Sequence, residues 1–275
     1  YGHLGAFSCL ACGYARPTPC AEAVAPVSLD ADGSVVDVAF AGEGTHVGAD
    51  CPRDTRRVRL ALPGMFNVAN ALAALAATEA LGIPRDAAID ALAGISSSFG
   101  RMETFACDGT PVRMILVKNP VGMDEALAYL AQAPCPRVFF GLNDKTGDGT
   151  DISWIWDADM EGHFAGEGVK PQVIGVFGTR AADMALRLKY AGAPEDALVF
   201  LTEGDAAGEG EGDEGARGDA PATPAAHIAP EHASYAAVID ALVADPSPVC
   251  ILANYTAMYD LRSLLGRRFG LRSMA

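Results

Sequence analysis

The second half of the chain alternates between short runs that are apolar from end to end and longer stretches rich in Ala and Leu. Val112 to Val117, Arg137 to Leu142, Val173 to Phe177, Leu198 to Leu201 and Val249 to Ala253 read as strands. Met123 to Gln132, Ala181 to Tyr190, His232 to Ala244 and Ala257 to Leu265 read as helices between and after them. A strand apolar on both faces must be covered on both faces, and alternating strands and helices pair in parallel through crossovers. This half is therefore expected to be a Rossmann-like α/β domain with a mainly parallel sheet between helical layers. Such sheets meet ligands and partners at the loops beyond the carboxyl ends of their strands.

The texture before residue 99 differs. Residues 1 to 26 are rich in Gly, Cys and Pro with little periodicity, whereas Val35 to Phe40 and Arg57 to Leu62 alternate as antiparallel strands do. Asn67 to Leu81 predicts a helix stopped by Gly82 and Pro84, and Asp86 to Leu92 a second one. Phe99-Gly100-Arg101 reads as a hinge, so domains are expected at 1–98 and 99–275. A chain of 275 residues, 50% hydrophobic, can bury two such cores. No apolar run is long enough to span a membrane, and the start lacks a basic-then-apolar signal. Tyr1 is not a natural start, so a segment is expected either to have been removed or to lie upstream. The net charge of −15 argues against nucleic acid and anionic membranes as partners. Part of that charge is a Gly/Ala-spaced run, Glu203 to Asp219, with seven acids and one Arg. It belongs to a low-complexity insertion at about 203–226, expected to be a disordered, solvated loop.

Seven cysteines at irregular spacing and no secretion signal suit reduced thiols in the cytoplasm. Cys107, Cys135 and Cys250 fall in or beside apolar runs and are expected as small core residues. Cys9-Leu10-Ala11-Cys12-Gly13 is half of a zinc knuckle, in which two thiolates on one tight turn grip a metal from the same side. Cys20 and His3 are candidate further ligands, at a spacing that forms no second knuckle. Asn67 and Asn70, three apart at a helix start, either cap that helix or grip a base edge. The polar stretch Gly141 to Glu161 follows a strand and carries six acids, one Lys and both tryptophans. That composition makes a loop, built to meet something.

Several of these segments resemble one family. Leu62-Pro63-Gly64-Met65-Phe66-Asn67-Val68-Ala69-Asn70 resembles the end of the central ATP-binding domain of Mur ligases and folylpolyglutamate synthases, and Phe99-Gly100-Arg101-Met102-Glu103 their interdomain hinge. Leu116-Val117-Lys118-Asn119-Pro120-Val121-Gly122 stands where ordinary Mur ligases carry an acidic, His-containing loop ending in Asn-Pro. With Asn143-Asp144, the block Asp148 to Trp154, Gly178-Thr179-Arg180, Arg187 to Gly192 and Asn254 to Met258, the whole set is similar to the MurT-type, Mur-ligase-like subunits of lipid II isoglutaminyl synthase.

The resemblance implies a cytoplasmic subunit acting at the inner membrane face, which uses ATP and Mg2+ to activate the α-carboxylate of the lipid II D-glutamate. Ammonia from a GatD-like partner glutaminase then converts it to D-isoglutamine. It implies nucleotide contacts at Asn67, Asn70, Arg101, Lys118 and Asn119, and Zn2+ on Cys9 and Cys12 with two ligands elsewhere. It also implies that Asp151 orients the His base of the partner's Cys–His pair, with Asp148 as a rival. Trp154 and Trp156 are buried anchors or interface residues. The sequence has no GxxxxGK[ST] loop, so residues 1–98 are expected to be a partial central domain with a zinc-ribbon remnant at 1–26. The chain alone is expected neither to hydrolyse ATP nor to amidate. Two alternatives remain: a fragment of an amino-acid-adding ligase, and a non-enzymatic module that docks on a glutaminase.

Overall fold

A computed structural model describes residues 7–17, 19–30, 33–41, 54–95, 101–166, 170–201 and 235–271, apart from the side chains of residues 25, 26 and 101. His3, Cys51, Phe99, Gly100, the start of the helix expected from His232, and the acidic insertion lie outside these residues. The chain divides into two units, Tyr1–Ser96 and Ser97–Ala275.

In the first unit three antiparallel strands, β1 (Ala21–Leu29), β2 (Ser34–Phe40) and β3 (Asp54–Leu60), pair in the order β1-β2-β3. The alternation of β2 turns Val36, Val38 and Phe40 inward, where they join Val58, Leu60, Val68 and Leu75 in one core. The last two come from β3's neighbour α1 (Met65–Ala80), and α2 (Arg85–Ala93) adds Ala88. Strand β1 was not legible, since the run to residue 26 shows no periodicity. It is an edge strand whose register shifts between Val24 and Val27, and an edge bulge is where a Pro such as Pro26 is tolerated.

The second unit is a six-stranded sheet in the order β4-β5-β9-β6-β7-β8. Strands β5 (Thr110–Leu116), β6 (Arg137–Gly141), β7 (Val173–Phe177), β8 (Leu198–Phe200) and β9 (Val249–Ala253) are parallel, as the apolar runs require. All of β6 and β9 is buried. The helices are α3 (Pro120–Gln132), α4 (Met160–Phe164), α5 (Ala181–Tyr190), α6 (Tyr235–Ala244) and α7 (Tyr255–Phe269). Beyond the expectation, β4 (Arg101–Cys107) adds an antiparallel edge through an Asp108-Gly109 turn with both φ positive, at 49° and 85°. Asp-Gly between strands is the usual sign of such a hairpin, and it was present in the sequence.

The chain order places β9 between β5 and β6, so the loops after these strands converge at one end of the sheet. Gly141 closes β6 there because nothing larger fits. A Cβ on it would lie 2.4 Å from the Phe177 ring.

Candidate functional site

The floor of this end is built by two buried asparagines. Asn143, fully buried after β6, donates its backbone N–H to Asn254 Oδ1 (3.1 Å), and Asn254 Nδ2 donates back to the Asn143 carbonyl (2.7 Å). The Asn143 amide also donates to the hydroxyls of Tyr235 (2.9 Å) and Thr256 (2.8 Å), while its Oδ1 accepts from the Thr179 N–H (2.9 Å). One side chain thus joins the ends of β6 and β7 to α6 and α7. A buried amide with every group satisfied fixes geometry, whereas one left unpaired costs about 1–3 kcal/mol. Gly178 makes the approach possible: its φ is +97°, and a Cβ would stand 2.3 Å from the Leu142 carbonyl oxygen.

Around this floor lies a charged rim. Asp144 accepts from the Thr179 hydroxyl (2.9 Å) and from Arg180 (3.2 Å), and these bonds hold its carboxyl below the usual range. Lys145 pairs with Asp260 on α7 (2.7 Å), which raises the lysine above its ordinary value.

The stretch 141–161 is a loop as expected, yet an ordered one. It contains two 3-10 turns, Thr146–Asp148 and Ser153–Trp156, before α4. The second turn and α4 are gathered by Arg187 of α5, whose guanidinium is 1% exposed. It donates to the carbonyls of Ile155 and Ala158 (both 2.8 Å) and, bidentately, to Glu161 (2.8 and 2.6 Å). The sequence gives no local sign of this hub, because its partners lie 26 to 32 positions upstream. The planar fork of Arg matches two carbonyls and a carboxylate at once.

The two candidate acids of this loop have different surroundings. Asp148 is half-buried, and both its oxygens are taken by Thr256: Oδ1 accepts from the backbone N–H (2.8 Å) and Oδ2 from the hydroxyl. It caps α7 from outside. Asp151 is exposed; its Oδ1 accepts from the Ser153 N–H (2.8 Å). Bonds from the Ser153 N–H and then its hydroxyl lower the Asp151 carboxyl below its ordinary value, so it is anionic at neutral pH. Trp154 is half-buried. Trp156 is 48% exposed, with the Arg187 guanidinium over its ring and its edge against Tyr190, itself 70% exposed.

The family described as MurT ligase C-terminal matches residues 116–258, which contain the asparagine floor and the loop 141–161. The chain belongs to that family. The MurT subunit of the lipid II isoglutaminyl synthase of Streptococcus pneumoniae is 31% identical over 200 residues, covering 72% of this chain and 41% of its own. The Staphylococcus aureus (strain COL) MurT subunit is 38% identical over 133 residues, 47% of this chain and 29% of its own. The chain therefore spans less than half the length of the curated relatives it matches. In fold it is similar to MurF of Acinetobacter baumannii, with a TM-score of 0.57 at 18% identity over 90% of this chain and 45% of that one. Mycobacterium tuberculosis folylpolyglutamate synthase, solved with ADP and AMPPCP, gives 0.54 at 17% over 92% and 48%.

The remaining residues singled out from the sequence are dispersed. In the MurT-like unit, Lys118 and Asn119 are exposed just after β5, where Asn119 caps α3 by accepting from the Gly122 N–H (2.8 Å). Arg101 opens β4, its side chain outside the described residues. In the first unit, Asn67 is buried and donates to the Pro63 carbonyl (2.7 Å), so it holds the turn before α1 without capping the helix; Asn70 is exposed. Cys9 and Cys12 are exposed thiols on a tight turn, with Gly13 at φ 73°. Backbone N–H groups of Cys12 and Ala11 lower the Cys9 thiol below its usual value. Among the described residues no set of three or more His, Cys, Asp and Glu gathers as a metal site. Cys107 and Cys250 are buried as expected, burial raising Cys107 to about 11, whereas Cys135 is only half-buried. No described helix is long and apolar enough to cross a membrane.

Proposed function

We propose that this chain is the carboxyl-terminal part of a MurT-type subunit of lipid II isoglutaminyl synthase, working with a glutaminase subunit at the cytoplasmic face of the membrane. In the reaction, ATP phosphorylates the α-carboxylate of the stem-peptide D-glutamate, giving an acyl phosphate and ADP. Ammonia, released by the partner from glutamine and water, attacks the acyl carbon. The C–O bond to phosphate breaks, a proton leaves the nitrogen, and D-isoglutamine remains.

Within this scheme Asp151 reaches out of the MurT-like unit to the partner's catalytic His, fixing its tautomer and stabilising the imidazolium. The observation that carries this reading is the contrast within one loop: Asp148 has both oxygens occupied, while Asp151 is exposed and anionic. In the first unit exposed Asn70 suits a nucleotide contact and Asn67 shapes the turn before α1; in the second, exposed Lys118 suits phosphate as a mobile point charge. Bound ATP and its Mg2+ would supply the activated phosphoryl group. The Cys9–Cys12 turn, whose backbone N–H groups favour a thiolate, fits one half of a tetrahedral zinc site.

The test is glutamine hydrolysis by the intact subunit co-purified with its glutaminase. Asp151→Asn is expected to lower kcat by about tenfold or more, as expected when a His base loses its orienting acid. Unchanged hydrolysis by that variant would sink the assignment of Asp151.

A further inference from the structure

Only two residues separate Asp148 from Asp151, and the loop between them runs from a buried contact to open solvent. We propose that Asp148 is a positioning residue: by holding the Thr146–Asp148 turn to the first turn of α7, it sets where Asp151 presents its carboxylate. The inference rests on the reading of Asp151 given above.

The contacts carry it. Thr256 offers Asp148 two donors, its backbone N–H and its hydroxyl. The same hydroxyl accepts from Asn143 Nδ2 (2.8 Å), so the turn is tied through Thr256 to the buried floor that joins β6, β7 and α6. Gly147 rests on the Thr256 methyl, to which an added Cβ would come within 3.2 Å. Lys145 makes a second tie to α7 at Asp260. Downstream of Asp151, Arg187 holds Ile155 and Ala158. The chain is thus clamped on both sides, and residues 149–154 bridge the clamps, with Gly149, Thr150 and Asp151 exposed at the surface. Release of the Asp148 clamp lets the upstream end of this short span move. A displacement of about 1 Å is enough to cost a catalytic constellation much of its rate.

This role differs chemically from that of a direct acid. Capping needs acceptor geometry, and Asn caps a helix about as well as Asp. Asn at 148 keeps Oδ1 for the Thr256 N–H and turns its NH2 toward the hydroxyl, which accepts it beside the bond from Asn143 and turns its own proton to solvent. Orientation of a cationic His needs a carboxylate, which Asn does not supply.

The experiment compares kcat for glutamine hydrolysis by the intact two-subunit complex carrying D148A, D148N, D151N, D148A/D151N, T256V or T256S. Expected are a loss of about five- to twentyfold for D148A, recovery of most of that loss in D148N, and a double variant no slower than D151N alone. T256V should fall with D148A while T256S stays near wild type; valine also leaves one Asn143 N–H without its acceptor, so if D148A fails to fold the test rests on D148N, which should stay near wild type where D151N is slow. Wild-type rates in both D148A and T256V, or D148N as slow as D148A, overturn the inference, the latter because the carboxylate itself would be needed. Losses in D148A and D151N that multiply in the double variant also overturn it. If D151N alone retains full activity, it is the reading of Asp151 that fails.

Discussion

The two units use arginine in opposite ways. In the first, Arg85 lies at the surface between Glu79 (2.7 Å) and Asp54 (2.9 Å), its guanidinium 4.4 Å from the centre of the Phe40 ring. It bridges α2, α1 and β3 on the outside of a core that Val36, Val38, Phe40 and Leu75 already fill. In the second, Arg187 is inside, and two of its three partners are backbone carbonyls of a loop that also buries Ile155, Met160 and Phe164. Water reaches the first arrangement through Asp54, whose side chain is 41% exposed, whereas in the second it reaches Glu161 but not the Arg187 contacts to the two carbonyls. Where sheet and helices already share an apolar core, this ion pair lies over it; where a loop must hold a shape at a strand end, a buried cation joins buried apolar side chains in holding it. Thiols divide similarly, since Cys9, Cys12 and Cys20 of the first unit are exposed while Cys107 and Cys250 of the second are buried.

Replacing each arginine tests this contrast. Arg187→Ala removes the guanidinium donor from the Ile155 carbonyl, leaves Ala158 with the Met160 N–H alone, strips Glu161 of its partner, and is expected to destabilise the second unit by about 3 kcal/mol. Both tryptophans lie in that unit, at 154 and 156, so the urea midpoint followed by tryptophan fluorescence reads the loss directly. Arg85→Ala should cost only about 1 kcal/mol, seen as a displaced midpoint in far-ultraviolet ellipticity. Equal losses for the two would break the comparison.

The smallest effect concerns pH. His163, half-buried on α4 beside the Phe164 ring, has its pKa lowered below 6.5, first by burial and then by Lys170. The unfolded chain therefore takes up the proton first, and the stability present above pH 6.5 declines as the pH falls below it. His163→Asn should flatten the tryptophan-detected midpoint between pH 6.5 and 5. A decline that starts only near 4.5, where Glu161 (held low by Arg187) and its fellow carboxylates begin to protonate, would assign the effect to them.

How much of this was legible depends on the range of the interactions. Strands β7 and β9 and helix α5 have the bounds that the apolar runs predict, because a fully buried parallel strand must be apolar throughout. The edges were harder. Strand β1 contains a bulge, and β4 was hidden by reading its first residues as part of a hinge, although Asp108-Gly109 marked the hairpin. At the candidate site, the loop 141–161 was visible from composition, and Asp151 with its rival Asp148 was singled out through the family resemblance. Which acid faces outward was not, because the answer lies with Thr256, 108 positions away. Asn143, Asn254 and Arg187 stood in segments that carried the resemblance, but their roles were not legible for the same reason: each is defined by partners that only folding brings near.

The hub at Arg187 has a thermodynamic corollary. A surface loop that adopts its bound shape only on contact with a partner adds the ordering of its backbone to the heat-capacity and entropy changes of association. Here Ile155 to Glu161 is already tied down while the protein stands alone. A macromolecule that settles on Trp156 and Asp151 therefore meets a preformed relief. Calorimetry of that encounter should show the heat-capacity change of the area it covers, with no further contribution from a folding loop.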